Sequence, residues 1–191
     1  MLGTSFYDLF MRPLERSGIG ELRRLIMPEA AGRVLELGAG TGVNLDFYDY
    51  SRITDLTLSD MRTGVLLSRR AAKRQAKVIA ADVEDLPFAD SVFDTVVFTL
   101  LFCSVENPEK GLAEIRRVLH PEGRILFLEH VLGCTSGIRG VQHLLTPLWR
   151  LVSGNCHLNR DTLRVIEAAG FTVERTERRA GCVLTAGTAR G

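Results

Sequence analysis

Apolar residues along this chain fall into short runs that alternate with amphipathic segments. Five runs have the length and composition of buried β-strands, namely RVLEL (33–37), LTLS (56–59), KVIAA (77–81), DTVVFTL (94–100) and RILFLEH (124–130). The fourth run is apolar at successive positions, as a central strand of a parallel sheet must be. Strands that alternate with helical segments predict a parallel sheet that carries helices on both faces.

Between these runs, apolar residues recur at helical spacing. Helices are predicted over residues 5–26 (with breaks), 43–50 and 61–75, over a segment that begins at Asn107, over 138–153, and over a last segment that ends at Gly170. Asn107 and Pro108 are typical of an N-cap and of the first residue of a helix. Asn159 is predicted to cap the last helix, and Thr146-Pro147 is predicted to break the 138–153 segment into two pieces.

Two further segments, FTVERTER and CVLTAGTAR, are predicted to close the chain as antiparallel neighbouring strands. The sequence contains no repeat, low-complexity tract or long linker. The pattern therefore predicts one α/β domain over residues 1–191. Its sheet is expected to be doubly wound and seven-stranded, and parallel except for an antiparallel strand at the C-terminal end.

The composition is that of an ordinary globular protein. The 191 residues are 46% hydrophobic and 25% charged, and a chain of this length can bury a full core without metal or disulfides. The formal net charge is +1 at pH 7, which gives no electrostatic case for a nucleic-acid partner. The basic stretch over residues 69–77 is interpreted as the solvated face of a helix.

The four cysteines, Cys103, Cys134, Cys156 and Cys182, are far apart and form no C-x-x-C pair. This spacing predicts neither a disulfide framework nor a structural zinc site. Cys103 is interpreted as a small buried residue, and Cys156 with His157 lacks the further ligands that a metal needs. No apolar run reaches the roughly 20 residues of a membrane span, and the N-terminal residues lack the apolar region of a signal peptide. A cytoplasmic location is predicted.

The most informative stretch, VLELGAGTGVNLDFY (34–48), leads from a strand through glycines into a helix. Backbone N–H groups at such a helix start point at a ligand. A dinucleotide fingerprint needs a glycine where Val43 stands, and the lysine of a phosphate-binding loop is absent, so both nucleotide motifs are disfavoured. The spacing E-x-G-x-G-x-G suits a ligand whose amino-acid moiety and ribose lie against bare backbone. Glu36 either orients this loop or accepts a hydrogen bond from an ammonium group.

Two more carboxylates follow at the ends of the next two strands. Asp60 lies 18 residues after Gly42, where an acid can accept hydrogen bonds from both ribose hydroxyls. Asp82 ends the third strand and is placed to accept from an adenine amino group. Met61 and Val83, which follow the two acids, are expected to pack on the faces of the adenine ring. Open α/β sheets bind ligands at this carboxyl edge.

These residues resemble the class I S-adenosylmethionine (SAM)-dependent methyltransferases. Residues 36–42 resemble the first motif of that family, Asp60 its ribose acid, and residues 81–97 and 114–130 its later motifs. The resemblance implies a Rossmann-like fold, SAM as cofactor and S-adenosylhomocysteine as product. It implies cofactor contacts from the following residues: Tyr7, Glu36, Gly38, Ala39, Gly40, Asn44, Asp60, Met61, Asp82, Val83, Thr99 and Leu100.

A narrower resemblance covers residues 98–131, LTPLWRL and GNCHLNRDT. These segments are similar to a methyltransferase-like family that includes animal thiol methyltransferases, and whose bacterial relatives are described as phospholipid or quinone methylases. The resemblance implies transfer of a methyl group to a small hydrophobic acceptor, with a thiol expected. A phospholipid amine or a quinol headgroup, and a non-catalytic SAM-binding protein, are the alternatives. A nicotinamide-dependent oxidoreductase is disfavoured by Val43.

The acceptor is expected over the carboxyl ends of the fourth and fifth strands. An N-terminal helical lid (1–28) and a helical insertion (137–158) are predicted to cover it, with Tyr7 either closing over the methionine end of SAM or packing in the core. His130 is the first candidate for a general base and His157 the second. Alternatively, His130 bonds to backbone while Glu129 pairs with an arginine. No metal is predicted. Peripheral contact with a membrane and the oligomeric state are left open.

Overall fold

The computed structural model describes residues 18–153 and 155–191, which form an α/β domain. The strands are β1 (Gly32–Leu37), β2 (Ile53–Asp60), β3 (Lys77–Ala80), β4 (Phe93–Thr99), β5 (Leu119–His130), β6 (Thr172–Arg179) and β7 (Leu184–Arg190). The α-helices are α1 (Gly20–Ile26), α2 (Val65–Ala72), α3 (Pro108–Val118), α4 (Ser136–Ser153) and α5 (Thr162–Ala168). Short 3₁₀ helices cover Met27–Glu29 and Val43–Asp46.

All seven strands join one sheet in the order β3-β2-β1-β4-β5-β7-β6. The five strands from β3 to β5 in this order pair in parallel, and β7 runs antiparallel to both of its neighbours. The doubly wound sheet with an antiparallel C-terminal strand, as predicted from the apolar pattern, is therefore confirmed. Its carboxyl edge carries the loops that follow β1, β2, β3, β4 and β5.

Each face of the sheet buries its own apolar cluster. On one face, Leu22 of α1 and Leu67 of α2 pack with Val34 and Val97. On the other face, α3 and α5 pack over residues of β4 and β5, and Phe98 is fully buried there. Strand β4 contributes apolar side chains to both clusters, which explains its unbroken apolar run.

The break predicted at Thr146-Pro147 was wrong, because helix α4 runs continuously through Pro147. The proline removes one backbone hydrogen bond, but polar contacts hold the helix before it. The Gln142 amide accepts from the Gly133 N–H at 2.8 Å and donates to the Val131 carbonyl at 3.0 Å. The Thr146 hydroxyl donates to the Gln142 carbonyl at 2.6 Å. An exposed proline alone therefore does not end this helix.

Three other local predictions were wrong in detail. The helix predicted over 43–50 is only the 3₁₀ turn Val43–Asp46. The N-cap of α5 is Asp161, whose side chain accepts from the Arg164 N–H, whereas Asn159 contacts the ring of His143. Strand β5 begins five residues earlier than predicted, at Leu119, because Leu119 pairs with Phe93 of β4 across an irregularity in register.

The predicted absence of disulfides was also wrong. Cys134 and Cys182 form a disulfide, with Cα atoms 5.5 Å apart although 48 residues separate them in sequence. Cys134 follows β5 and Cys182 precedes β7, and the antiparallel pairing of these strands brings the two ends together. Cys103 and Cys156 remain thiols. Among the described residues, no helix is both long and apolar enough to cross a membrane.

Candidate functional site

The glycine loop after β1 has the backbone shape that its sequence requires. Gly38, Gly40 and Gly42 have φ values of +65°, +57° and +76°, a region that side chains other than glycine rarely occupy. A Cβ atom on Gly38 would lie 2.9 Å from Leu101, and one on Gly42 would lie 2.9 Å from Leu45. A Cβ on Gly40 would meet nothing closer than 4.0 Å. Gly40 is therefore the position that leaves open space for a ligand, while its neighbours serve packing.

Asp60 lies directly beside this loop. One carboxylate oxygen accepts from the Gly40 N–H at 2.8 Å and the other accepts from the Arg62 N–H at 2.9 Å. Ala39 is held at the same edge, since its N–H donates to the Ser59 carbonyl at 3.0 Å. The structure thus brings the predicted ribose acid and the bare backbone of Gly40 together.

The predicted adenine subsite lies at the ends of β2 and β3. The Asp82 carboxylate accepts from the Glu84 N–H at 2.9 Å, which fixes the turn after β3. Met61 is 71% exposed, so its apolar side chain is accessible to an adenine ring, whereas Val83 is only 8% exposed and packs in the core. Gly111 of α3 approaches Val83 closely. Of the pair predicted to flank the adenine, Met61 has the free surface.

A buried polar network supports the loop from below. Glu36 accepts from the Asn44 amide at 2.9 Å and from the Tyr48 hydroxyl at 2.7 Å. Arg23 of α1 donates to the Asn44 side chain and to the Thr99 hydroxyl, the latter at 3.2 Å. Burial raises the pKa of Glu36, while the contacts from Tyr48, Asn44 and Arg23 lower it.

Both oxygens of Glu36 are thus used inside the protein, which favours the loop-orienting role over an ammonium contact. Asn44 and Thr99 belong to the same network, so three predicted cofactor residues meet there. Arg23 and Tyr48 were not predicted. Their sequence context gives no signal, since Arg23 stands in an ordinary amphipathic helix and Tyr48 reaches Glu36 only through the fold.

The segment after β4 is held in an unusual conformation. Leu100 has a φ of +52°, which costs a side-chain residue about 1–3 kcal/mol and is frequent at functional sites. Glu129 accepts from the N–H groups of Leu101, Phe102 and Cys103 at 2.8, 3.0 and 3.2 Å. Burial raises the pKa of Glu129 to about 7, although these backbone donors lower it.

Among the described residues, Glu129 therefore pairs with no arginine, contrary to the alternative interpretation, and Arg150 donates to Asn155 instead. This buried carboxyl group organises the loop that borders the predicted acceptor end of the site. Three N–H groups converging on one carboxylate fix the backbone of that loop.

The pKa values of both candidate bases, His130 and His157, are lowered by their surroundings. Burial lowers the pKa of His130 to about 4, and its Nδ1 has no hydrogen-bond partner within the described part of the chain. Burial, followed by the charges of Arg160 and Arg150, lowers the pKa of His157. The backbone N–H of His157 donates to the Cys103 carbonyl at 2.7 Å, which places His157 beside the loop after β4. His130 is thus a weak proton acceptor at pH 7.

The predicted insertion is the helix α4, which docks on the segment after β5 through Gln142. Its outer surface carries exposed apolar side chains at helical spacing: Val141, Leu144, Leu145 and Leu148. Tyr7 and most of the predicted lid (1–28) lie outside the described residues, so the lid stays a prediction.

Comparison with known proteins agrees with this geometry. Residues 35–127 match the family described as methyltransferase domain. Over 175 residues the chain is 33% identical to thiol S-methyltransferase TMT1A from Homo sapiens, covering 88% of this chain and 72% of that protein. The chain belongs to the class I SAM-dependent methyltransferases. It is also 29% identical over 148 residues to demethylmenaquinone methyltransferase from Paenarthrobacter aurescens, covering 75% of this chain and about half, 54%, of that relative.

A solved structure shows the same fold. The 1,6-didemethyltoxoflavin-N1-methyltransferase of Burkholderia thailandensis, solved with 1,6-didemethyltoxoflavin and S-adenosylhomocysteine, superposes with a TM-score of 0.69. The match covers 97% of this chain and 83% of that one at 17% identity. At this identity the likeness concerns the fold, and the roles of individual residues rest on the geometry above.

The SAM that this methyltransferase uses fits the residues at the carboxyl edge. Gly40 offers open backbone, Asp60 offers acceptors beside it, and Met61 offers free apolar surface. SAM supplies an electrophilic methyl group on a sulfonium. The protein's own part in the reaction is to position the two reactants and to exclude water.

Proposed function

We propose that this methyltransferase transfers the methyl group to a small hydrophobic acceptor, and that the acceptor is a thiol. The observation that carries the proposal is the weakness of the candidate bases at the acceptor end. His130 has a pKa of about 4, and both oxygens of Glu129 are engaged by backbone N–H groups. A thiol needs no strong base, because its thiolate forms near neutral pH and is itself the nucleophile.

The similarity to thiol S-methyltransferase TMT1A supports the same acceptor class. A second candidate is a quinol headgroup, favoured by the similarity to a demethylmenaquinone methyltransferase. The phospholipid amine that the sequence suggested belongs with it, since either acceptor would be delivered from a lipid surface. A phenol or an amine would need a base to remove its proton, and that requirement separates these acceptors from a thiol.

A panel of acceptors tests the proposal by transfer of tritiated methyl from SAM. We expect small hydrophobic thiols to accept, with a rate that rises as the pH passes the thiol pKa of about 8.5. His130→Ala should keep turnover within about threefold, since no base is required. His120→Ala, which changes an exposed histidine at the start of β5, is the matched control. Loss of turnover in His130→Ala with intact SAM binding would favour the quinol or amine.

We also propose that α4 contacts a membrane surface from which a hydrophobic acceptor would enter. Leu144 and Leu148 are 79% and 66% exposed, one helical turn apart on the same face. The helix contains Arg139 and Arg150 and has no acidic residue, so its charge complements anionic headgroups. An apolar stripe with flanking cations is the pattern of an interfacial helix.

Replacing Leu144 and Leu148 together with glutamate should weaken binding to vesicles of phosphatidylcholine and phosphatidylglycerol by at least about tenfold, because two buried leucines are lost to the bilayer. Glutamate preserves helix propensity. The matched control places glutamates at Val65 and Leu66 of α2, which are also exposed. Flotation assays with equal binding by all three proteins, or with no binding by the wild type, would remove the membrane contact.

A further inference from the structure

Two thiols, Cys103 and Cys156, lie beside the predicted acceptor end and are not used in the proposed methyl transfer. Cys103 lies in the loop after β4 and is 2% exposed, while Cys156 lies between α4 and α5 and is partly exposed. The two side chains lie close enough for each to shift the pKa of the other. The backbone holds the same neighbours together, since the His157 N–H donates to the Cys103 carbonyl at 2.7 Å. The fold therefore holds the backbone of Cys103 beside the segment that carries Cys156.

A side-chain clamp secures the same segments. The Arg160 guanidinium donates to the carbonyls of Phe102 and Val105 at 2.5 and 2.7 Å, one on each side of Cys103. Asn155 donates from its amide to the Ser104 carbonyl at 3.3 Å. The segment that follows α4 is thus fastened to the loop after β4 at several points, and the two thiols cannot separate without breaking these bonds.

The surroundings of the two thiols shift their pKa values in opposite directions. The hydrogen bond from Cys103 lowers the pKa of Cys156 to about 7, helped by Trp149 and Ser104 and opposed by burial. The same hydrogen bond, followed by burial and the charge of Glu129, raises the pKa of Cys103. Cys156 thus carries the thiolate and Cys103 keeps its proton. Thiolates are the form that peroxides oxidise, and a neighbouring thiol resolves the product.

We propose that Cys156 is a peroxide-sensitive residue and that Cys103 resolves its oxidised form into a Cys103–Cys156 disulfide. In the first step, the Cys156 thiolate attacks the O–O bond of a hydroperoxide. An S–O bond forms, the O–O bond breaks, and the departing alkoxide takes a proton from solvent and leaves as the alcohol, or as water when the oxidant is hydrogen peroxide.

In the second step, the Cys103 sulfur attacks the sulfenic sulfur of Cys156. The S–S bond forms, the S–O bond breaks, and water leaves with the hydroxyl of the sulfenic acid and the proton of Cys103. Both thiol sulfurs are oxidised and the hydroperoxide is reduced. The Cys134–Cys182 disulfide offers no free thiol to the hydroperoxide.

The test treats the full chain with hydrogen peroxide, unfolds it so that the buried Cys103 is accessible, alkylates the remaining thiols and maps peptides without reductant. We expect both Cys103 and Cys156 to lose reactivity towards iodoacetamide, a cross-linked peptide that contains the pair, and recovery of both thiols with dithiothreitol. Persistence of two alkylatable thiols, or a doubly oxidised Cys156 beside a free Cys103, would overturn the proposal.

Variants assign the order of the two steps. In Cys103→Ser, the sulfenic acid at Cys156 should persist and be labelled by dimedone, while in Cys156→Ser no label should appear at Cys103. Labelling of Cys103 in the second variant would contradict the assignment of Cys156 as the attacking thiol. If the buried Cys103→Ser variant fails to fold, the peptide map of the unmodified chain still decides whether the disulfide forms.

The disulfide would join the two segments that border the acceptor end, so we expect peroxide to lower methyl transfer and dithiothreitol to restore it. This last effect rests on the proposed function, whereas the covalent link is read from peptide masses without any acceptor. Failure to find an acceptor would therefore leave the test of the disulfide intact.

Discussion

Asp60→Ala is expected to weaken binding of S-adenosylhomocysteine by about 5- to 150-fold, which corresponds to the roughly 1–3 kcal/mol of a lost hydrogen bond to a charged group. The carboxylate lies at the carboxyl end of β2 and already accepts from the Gly40 N–H at 2.8 Å. Its removal deprives the ribose hydroxyls of their predicted acceptor and releases the glycine loop. Isothermal calorimetry with the purified chain measures the change.

Two further variants separate these contributions. Asp60→Asn keeps an oxygen for the Gly40 N–H but loses the charge, so its affinity should lie between those of the wild type and Asp60→Ala. Asp55→Ala changes an acid of the same strand that pairs with Lys77 on the surface, and it should bind normally. Unchanged affinity in Asp60→Ala would remove this residue from the cofactor site.

The geometry of the predicted cofactor half of the site follows largely from the sequence, because local rules set the conformation of its residues. The apolar run that ends at Leu37 specifies a strand, the glycines after it specify a left-handed loop, and Asp60 ends the next strand. Parallel strands place such ends at one edge. The order of short apolar runs therefore predicts both the fold and the neighbourhood of Gly40 and Asp60.

The acceptor half depends on contacts between distant segments, which local patterns do not encode. One alternative from the sequence paired Glu129 with an arginine, but Glu129 accepts from three N–H groups of a loop about 27 residues earlier in the chain. The Cys134–Cys182 disulfide depends on the pairing of β5 with β7. Pro147 predicted a break, but Gln142 anchors α4 on the segment after β5. In each case tertiary contacts override a local rule.

Glu129 makes the stability of the fold depend on pH in a direction that can be predicted. Burial raises its pKa from the usual 4.5 to about 7. Below pH 4.5 the carboxyl is protonated in both the folded and the unfolded chain, so its ionisation does not change the free energy of unfolding. Between pH 4.5 and 7 the carboxyl is ionised in the unfolded chain but still protonated in the folded chain. The free energy of unfolding therefore falls by about 3 kcal/mol over this range. Thr185, the fully buried cross-strand neighbour of Glu129, has a hydroxyl without a hydrogen-bond partner among the described residues, which suits a protonated carboxyl.

Glu129→Gln should therefore abolish most of this pH dependence. At pH 5 the variant should be less stable than the wild type by about 1–3 kcal/mol. The glutamine side chain has only one oxygen, and its amide nitrogen accepts no hydrogen bond, so at least one of the three N–H groups loses its acceptor. As the pH rises to 8, the wild type loses stability and the variant does not, so the gap should close or reverse. Urea unfolding at several pH values measures it, with Glu122→Gln, at an exposed position near the start of β5, as the control that follows the wild type. Parallel curves for wild type and Glu129→Gln would show that Glu129 is ionised in the fold throughout this range, held by its three backbone donors against the cost of burial.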